Sequence, residues 1–371
     1  MKILFLGQKG IPCITPDDKT GRERRVEALA TLLAKKGHRV IVTCARPYTP
    51  KSLRKFNGVL LRHLPSFYPD VAGGWLYDLL SVISMVKFKP AVVHMNGWRV
   101  AVLAPLAVVL RPQATYIWTI DDWPTRKLFI VRGVARLVDG LFDVITTPSR
   151  ELQHKILHYL QIRAIYIPDG YTSENWPPLG LTKFGIKTQG FSLTTASSFA
   201  DVRNVALAYK KAGMRRKLVV TGEWQGPFKR LKQNFPFLHF SGELGERAQQ
   251  SMMERAGMVI MEGDQTTLNT VLSVMDKGKG IVATTSVGYQ EVLGVAALMV
   301  RTGDVNGLAT AIKTLTLADN STSLGRQAQK RARAHFTWQR VLPEYVELYH
   351  YPLLRPVWLD SARAKLVTKK A

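Results

Sequence analysis

The sequence has 371 residues, enough for two domains of ordinary size. Hydrophobic residues make up 46% and charged residues 21%, which excludes a disordered chain and a coiled coil. Lysine and arginine total 52 against 27 acidic residues, a formal charge of +25 that predicts attraction to polyanions: nucleic acid, an anionic membrane face or phosphorylated ligands.

The chain opens on Met1 to Gly7, too short for a signal-peptide core with a cleavage site. Strand-like β-branched runs follow in series: Lys2–Leu6, Arg39–Thr43, Val59–Leu64, Ala91–His94, Ala114–Thr119, Asp143–Thr147 and Ala164–Ile167. Helical spacing separates several of them, with Val26, Leu29, Leu32 and Leu33 on one face and Leu152, Ile156, Leu157 and Leu160 on another. The longest apolar stretch, Val100 to Leu110, contains Pro105 and lies between Arg99 and Arg111. It falls short of the roughly 20 residues a spanning helix needs, so a soluble cytoplasmic protein is expected. Cys13 and Cys44 are too few for a disulfide scaffold or a four-ligand zinc site.

Pro168-Asp169-Gly170 interrupts this series, and a stretch rich in Pro, Gly and Thr runs to Gly190. A second series comprises Phe191–Thr195, Lys217–Thr221, Phe237–Ser241, Met258–Met261, Gly280–Thr284 and Ala297–Val300. Alternating strands and helices predict an α/β fold of two Rossmann-like lobes, each a parallel sheet with crossover helices on both faces. Ligands of such sheets bind outside the carboxyl ends of the strands, which predicts a site in a cleft between the lobes.

Polar clusters stand at several strand ends. Gly7-Gln8-Lys9-Gly10-Ile11-Pro12 follows the first strand, and Gly21-Arg22-Glu23-Arg24-Arg25 opens a helix. Glycine lets backbone approach a ligand, and a helix start offers N–H groups to phosphate; a plain strand-to-helix turn explains the same residues. His94 and Asn96 sit where a buried strand emerges, and Asp121-Asp122 sit where the next one does. Adjacent carboxylates on a strand face opposite sides, so these two do not form an acid and base pair by themselves. In the second series, Ser197-Ser198 with Arg203 suit a diphosphate loop, and Glu262-Gly263-Asp264-Gln265-Thr266-Thr267-Leu268-Asn269 offers caps or donors to sugar and phosphate. Walker, His-Glu-x-x-His and nucleophile-elbow motifs are missing from the sequence.

In this order the segments resemble the retaining GT-B glycosyltransferases of family 4. Gly7-x-x-Gly10-Ile11-Pro12 with Gly21 and Val26 to His38 is similar to the rhamnosyltransferase-like amino-terminal signature. Ile167 to Gly170 stands at that family's interdomain turn. Ser241-Gly242-Glu243-Leu244, Gly280 to Thr284, Gly288 to Leu293, Gly303-Asp304 and Phe336-Thr337-Trp338 follow in the family's order. The resemblance implies an acceptor-side domain over 1–170, a nucleotide-sugar domain over 171–335 and a helix and tail over 336–371 that return to the first domain.

It also implies a reaction: transfer of a sugar from a nucleotide-sugar donor to a saccharide or lipid-linked acceptor, with retention, in cell-surface glycan synthesis. The nucleotide sugar is substrate, and neither metal nor cofactor is implied. The catalytic candidates are His94, Asp121 and Gln265. Donor-side candidates are Gly10, Ser197, Ser198, Arg203, Gly222, Glu243, Glu262, Asp264, Thr266, Thr267, Asn269 and Ser273, and acceptor-side candidates are Arg22 and Asn96.

The departures from the family are specific. Its Glu-x7-Glu element falls on Gln265 and Ser273, so neither glutamate is kept, although Glu262 or Asp264 would serve for the first with a shift. Its paired cations fall on Ser198 and Arg203, so one is lost, and its common histidine falls at Asp121. Three other readings stay open: a degenerate homologue acting as a binding or scaffold protein, a nucleotide-sugar isomerase on the same fold, and a nucleic-acid binder. The last lacks a basic module interleaved with aromatics, so no nucleic-acid partner is expected. Basic residues including Lys35, Lys36, Arg54, Lys55, Lys87, Lys89, Arg126, Lys127 and Arg132, and Arg363 to Lys370 in the tail, suggest peripheral docking on an anionic inner leaflet.

Overall fold

A computed structural model describes residues 1–12, 21–46, 48–66, 70–123, 128–173, 176–186, 189–196, 198–222, 226–242, 244–263, 268–317 and 320–350. They fall into two compact units, one comprising Met1–Gly170 and the helix from Trp338, the other Tyr171–Thr337.

The first unit contains β1 (Lys2–Leu6), β2 (Arg39–Ala45), β3 (Lys55–Phe56), β4 (Val59–Leu64), β5 (Val92–Asn96), β6 (Thr115–Thr119), β7 (Val144–Thr147) and β8 (Ile165–Tyr166). They form one sheet in the order β3-β4-β2-β1-β5-β6-β7-β8, parallel throughout except for β3. The connecting helices are α1 (Gly21–Lys35), α2 (Asp70–Ile83), α3 (Met85–Phe88), α4 (Trp98–Ala101), α5 (Ala104–Leu110), α6 (Leu128–Val138) and α7 (Arg150–Lys155). Successive strand residues point to opposite faces, so β1 feeds two cores. Ile3 and Phe5 pack with Val26, Leu29 and Leu33 of α1. Leu4 and Leu6 pack with Val82, Met85, Val100, Ala104 and Val108 from the other helical layer.

The second unit repeats the plan with β9 (Ser192–Thr194), β10 (Leu218–Val220), β11 (Leu238–Phe240), β12 (Met258–Met261), β13 (Gly280–Thr284) and β14 (Leu298–Val300). All pairs are parallel, in the order β11-β10-β9-β12-β13-β14. Its helices are α8 (Phe199–Lys211), α9 (Pro227–Asn234), α10 (Glu246–Arg255), α11 (Leu268–Asp276), α12 (Val287–Leu293), α13 (Val305–Thr316) and α14 (Asn320–His335). The last helix, α15 (Trp338–His350), packs Trp338, Val341, Leu342 and Tyr345 into the α1 side of the first unit.

In each sheet the winding reverses once. The reversal lies between β1 and β5 in the first unit and between β9 and β12 in the second. Adjacent connections leave in opposite directions there, which opens a crevice beyond the strand ends.

Local departures from the expected elements have physical causes. The apolar stretch after Arg99 is two helices, because Pro105 has no N–H to continue a helix and sits at the start of α5. Leu157 is exposed while Leu152, Ile156 and Leu160 are buried. Residues Ile156–Leu160 wind as a π-helix, whose wider turn rotates Leu157 off the inner face. The two-residue β3 lies below any periodicity signal.

Gly325 of α14 crosses the loop after α11 so closely that a Cβ would lie 2.1 Å from the Gly278 carbonyl oxygen. In an open helix Gly→Ala gains up to about 1 kcal/mol, but overpacking against backbone costs about 1–3 kcal/mol, so overlap wins. Gly325→Ala is therefore expected to lower the thermal-unfolding midpoint. Gly288→Ala in α12, where nothing lies within 4 Å, should raise it slightly.

Candidate functional site

In the first unit the crevice is built on Gly7 and Gly97. Gly7 has φ +91°, and a Cβ there would lie 2.2 Å from the Asn96 carbonyl oxygen, so only glycine lets the ends of β1 and β5 meet. Gln8 turns its amide inward, donating to the carbonyls of Phe5 and Thr43 at 3.0 Å each. The Tyr77 hydroxyl donates to the Gln8 carbonyl at 2.8 Å and braces the loop from α2. Lys9 N–H donates to Glu23 Oε1 at 3.0 Å, tying the loop to the start of α1. Gly10 is buried where a Cβ would lie 2.3 Å from Thr49 Oγ1, so its place is a close backbone packing.

Arg22 and Asp121 come together at this edge. The Arg22 guanidinium grips Asp121 through two bonds, Nε to Oδ2 at 2.7 Å and Nη2 to Oδ1 at 2.6 Å. It lies over Gly97, whose missing Cβ makes room for it. Arg25, with its side chain 2% exposed, donates to the same carboxylate at 2.5 Å and to Asp169 at 3.2 Å. Burial alone would raise the pKa of Asp121, but Arg25 and Arg22 outweigh it and hold the carboxyl below its ordinary range. A carboxylate gripped this way anchors two arginines and is poorly suited to act as a base. Arg22 remains partly exposed, beside the mostly exposed Asp122.

His94 is held by internal bonds as well. Its ring is fully buried, with Nδ1 2.7 Å from the Tyr349 hydroxyl of α15 and Nε2 2.6 Å from Thr119 Oγ1. Burial, reinforced by Arg25, lowers its pKa to about 3, so the ring is neutral and both nitrogens are committed. Asn96 is different. Its Nδ2 donates to the Leu6 carbonyl at 3.2 Å, while its buried Oδ1 has no partner among the described residues.

In the second unit the crevice brings Ser198, Asp201, Glu262 and Gly263 together. Ser198 caps α8: its hydroxyl accepts from Asp201 N–H at 3.1 Å and donates to Asp201 Oδ2 at 2.6 Å. Gly263 has φ +80°, and a Cβ there would lie 2.6 Å from Asp201 Oδ2. Glu262 is buried and accepts from Gly303 N–H at 3.1 Å. Burial pushes its carboxyl above the ordinary range, and neighbouring Asp201 adds to the push. Arg203 is exposed on α8 and pairs with no carboxylate among the described residues. Gly222 and Gly242 bridge the ends of β10 and β11 through an N–H to carbonyl bond of 3.1 Å. Ser273 is half-buried on α11 and donates to the Asn269 carbonyl at 2.7 Å. Ser197, Glu243, Asp264, Gln265, Thr266 and Thr267 lie outside the described residues, as do Cys13, Arg126, Lys127 and the tail from residue 351. No group of three His, Cys, Asp or Glu able to hold a metal occurs among the described residues.

Two further residues organise these edges without having been singled out as site candidates. Asp276 accepts from the Tyr171 hydroxyl at 3.0 Å, the Ser173 hydroxyl at 2.5 Å and Arg333 Nε at 2.9 Å. The signal for it is an acid directly after the apolar run Val271-Leu272-Ser273-Val274-Met275. Asp78 of α2 accepts from Arg99 of α4 at 2.5 Å, and it too is an acid in an apolar helix.

Residues 20–167 match the family model described as a glycosyl transferase 4-like domain, a segment of the first unit that covers less than half of the chain. No curated protein matches the chain in sequence. Among solved structures, sucrose-phosphate synthase from Thermosynechococcus elongatus is similar with a TM-score of 0.72 at 16% identity, over 94% of this chain and 98% of that one. A glycosyltransferase from Rickettsia africae gives 0.72 at 16% identity, over 96% of this chain and 99% of that one. HepE of Anabaena, solved in complex with UDP, gives 0.71 at 14% identity over 94% and 99%. The chain thus has the GT-B fold of glycosyltransferases, with two units each built on a Rossmann-like sheet.

The buried His94 makes stability depend on pH. Its folded pKa of about 3 lies below the ordinary 6.5, so its contribution is fully present above pH 6.5 and is lost as pH falls through that value toward 3. The slope is about 1.4 kcal/mol per pH unit, so between about pH 7.5 and about pH 5.5 the parent should lose roughly 1.4 kcal/mol more than His94→Gln. Urea unfolding of the first unit in both proteins reads this difference, and equal losses would show that the ring titrates normally.

Proposed function

We propose that the chain is a glycosyltransferase that moves a sugar from a nucleotide-sugar donor to a saccharide or lipid-linked saccharide acceptor. The observation that carries this reading is the likeness along nearly the whole chain, in both units, to sugar-transferring enzymes. The family-model match over residues 20–167 supports it. UDP is the first nucleotide to test, since HepE is solved with UDP and with UDP and glucose. Retention and a place in cell-surface glycan synthesis follow from the family resemblance and belong to the same proposal.

In this reading the second unit takes the donor. Arg203 meets the diphosphate, with backbone N–H groups near Ser198 and the polar run from Glu262 to Asn269 around the sugar and phosphate. Cations and N–H dipoles there offset the charge that develops as the nucleoside diphosphate leaves. Ser273 faces the ribose. The first unit takes the acceptor, with Arg22, Asp122 and Asn96 at its edge.

A second reading is favoured by one feature. Neither Gln265 nor Ser273 supplies the carboxylate that the resemblance implies, and of the two acids just before Gln265, Glu262 accepts from Gly303 N–H and Asp264 lies outside the described residues. A chain of this kind would bind nucleotide sugar without transferring it. Thermal-shift screening with UDP, GDP and dTDP sugars followed by product analysis separates the two readings: stabilisation with a glycosylated product supports transfer, and stabilisation without product supports binding alone. A shift by none of them argues against both.

Two substitutions sharpen this. Arg203→Ala should weaken nucleotide-diphosphate binding by about 1.5–3 kcal/mol, the range for hydrogen bonds to charged groups. Calorimetry giving equal affinity would remove Arg203 from the site. Ser273→Glu should tighten donor binding or raise turnover, because a carboxylate accepts from ribose hydroxyls about twice as strongly as a neutral group. A folded variant that binds less well would show that Ser273 does not face the ribose.

A further inference from the structure

The helical layer over β1 and β4 presents an outer face unlike that of a solvated helix. Trp75, Leu76, Ile83 and Val86 are between 37% and 52% exposed. With half-buried Leu79 they run at steps of three and four along α2 and into α3, which is one helical stripe. The inner side of the same helices is also apolar, with Tyr77, Val82 and Met85 buried. Solvent-facing sides of such helices ordinarily carry charge. Val102, at the end of the neighbouring α4, is exposed as well.

Charge along this stretch is predominantly basic, although α2 opens on Asp70. From Gly74 to Gln113 the only carboxylate is Asp78, against Lys87, Lys89, Arg99 and Arg111. Asp78 is buried and bound to Arg99 at 2.5 Å. Lys87 and Lys89 are exposed at the end of the stripe. Gly74 gives Arg99 its seat, since a Cβ there would lie 2.2 Å from Arg99 Nη1. This pair ties α2 to α4 and fixes its rotation with the apolar stripe outward.

We propose that the outer face of α2 and α3 is a docking surface for an anionic lipid bilayer. An apolar stripe with an indole at one end and lysines at the other fits the boundary between acyl chains and headgroups. The excess of lysine and arginine over acid along this stretch matches a negatively charged leaflet and disfavours a neutral one. Among the described residues no helix is long and apolar enough to cross a membrane, so the mode is lying on the surface. The proposal places membrane contact on a particular face of the first unit and stands independently of the transferase reading.

The test is co-sedimentation of the full chain with vesicles of phosphatidylcholine alone and of phosphatidylcholine with phosphatidylglycerol, at low and high salt. The parent should partition onto the anionic vesicles and weaken as salt rises. Each basic residue near such a surface is worth roughly fivefold, so Lys87→Gln with Lys89→Gln should lower partitioning by roughly tenfold or more. Trp75→Glu with Ile83→Glu should abolish it, while Leu317→Glu, exposed on the second unit, should leave it unchanged. Circular dichroism confirms that each variant is folded. Negligible binding of the parent to anionic vesicles at low salt overturns the proposal, and so does parent-like binding by both stripe and lysine variants. A dimer in sedimentation velocity that Trp75→Glu with Ile83→Glu converts to monomer, with no vesicle binding by the parent, would instead assign the stripe to a second copy of this chain.

Discussion

A guanidinium buried as deeply as that of Arg25 constrains everything around it. Removing such a charge from water is costly unless opposite charges and hydrogen bonds surround it, and removing one partner of a buried pair costs about 3–5 kcal/mol. Arg25 meets this demand with Asp121 and Asp169. Those two acids come from the end of β6 and from the turn after β8, so one side chain of α1 holds two distant segments in register. Asp121 then has an oxygen left for Arg22, which settles over Gly97. Tyr345 and Tyr349 of α15 pack beside the same charge, and Tyr349 meets His94. The geometry of the strand ends in the first unit thus follows from satisfying one arginine.

The second unit solves a similar problem with an anion. Asp276 is buried at the end of α11, where burial would raise its pKa, yet bonds from Ser173, Arg333 and Tyr171 outweigh that and hold it low. Its backbone carbonyl also accepts from Gln329 at 2.5 Å. The start of the unit, α11 and α14 are joined at one carboxylate. Both units also use glycine in the same way where the sheet reverses. Gly7 admits the Asn96 carbonyl, and Gly263 admits the Asp201 carboxylate. In each case the absent Cβ lets two chain segments meet beyond the strand ends, where the crevice of such a sheet forms.

The strands were legible because a buried parallel strand is a short apolar β-branched run, and that pattern needs no knowledge of neighbours. Leu157 was misplaced because its helical spacing was assumed to be 3.6 when the backbone there winds as a π-helix. Glycine and polar residues at strand ends are visible in sequence too. What their side chains touch is not. A histidine at a strand end reads the same whether it faces a ligand or a tyrosine 255 residues away, and His94 meets the tyrosine. Asp121 likewise depended on arginines about a hundred residues earlier. Ser198 proved to be a helix cap, a use its sequence position equally allowed.

What remains after internal bonding bears on the chemistry open to each unit. In the first unit, buried Asn96 Oδ1 and Gln8 Oε1 are neutral acceptors without partners among the described residues. A buried acceptor without a donor is costly, and a ligand hydroxyl recovers that cost without requiring charge. His94 is bonded at both nitrogens and Asp121 is held by two arginines, so Asn96 Oδ1 is suited to accept from a hydroxyl more than to transfer a proton. In the second unit, Glu262, Asp201 and Ser198 bond one another or nearby backbone, and the cation Arg203 is exposed on α8. The proposed reaction asks one unit to meet the hydroxyls of a sugar acceptor and the other to meet a nucleotide diphosphate, and Asn96 and Arg203 are the groups it assigns to those two tasks.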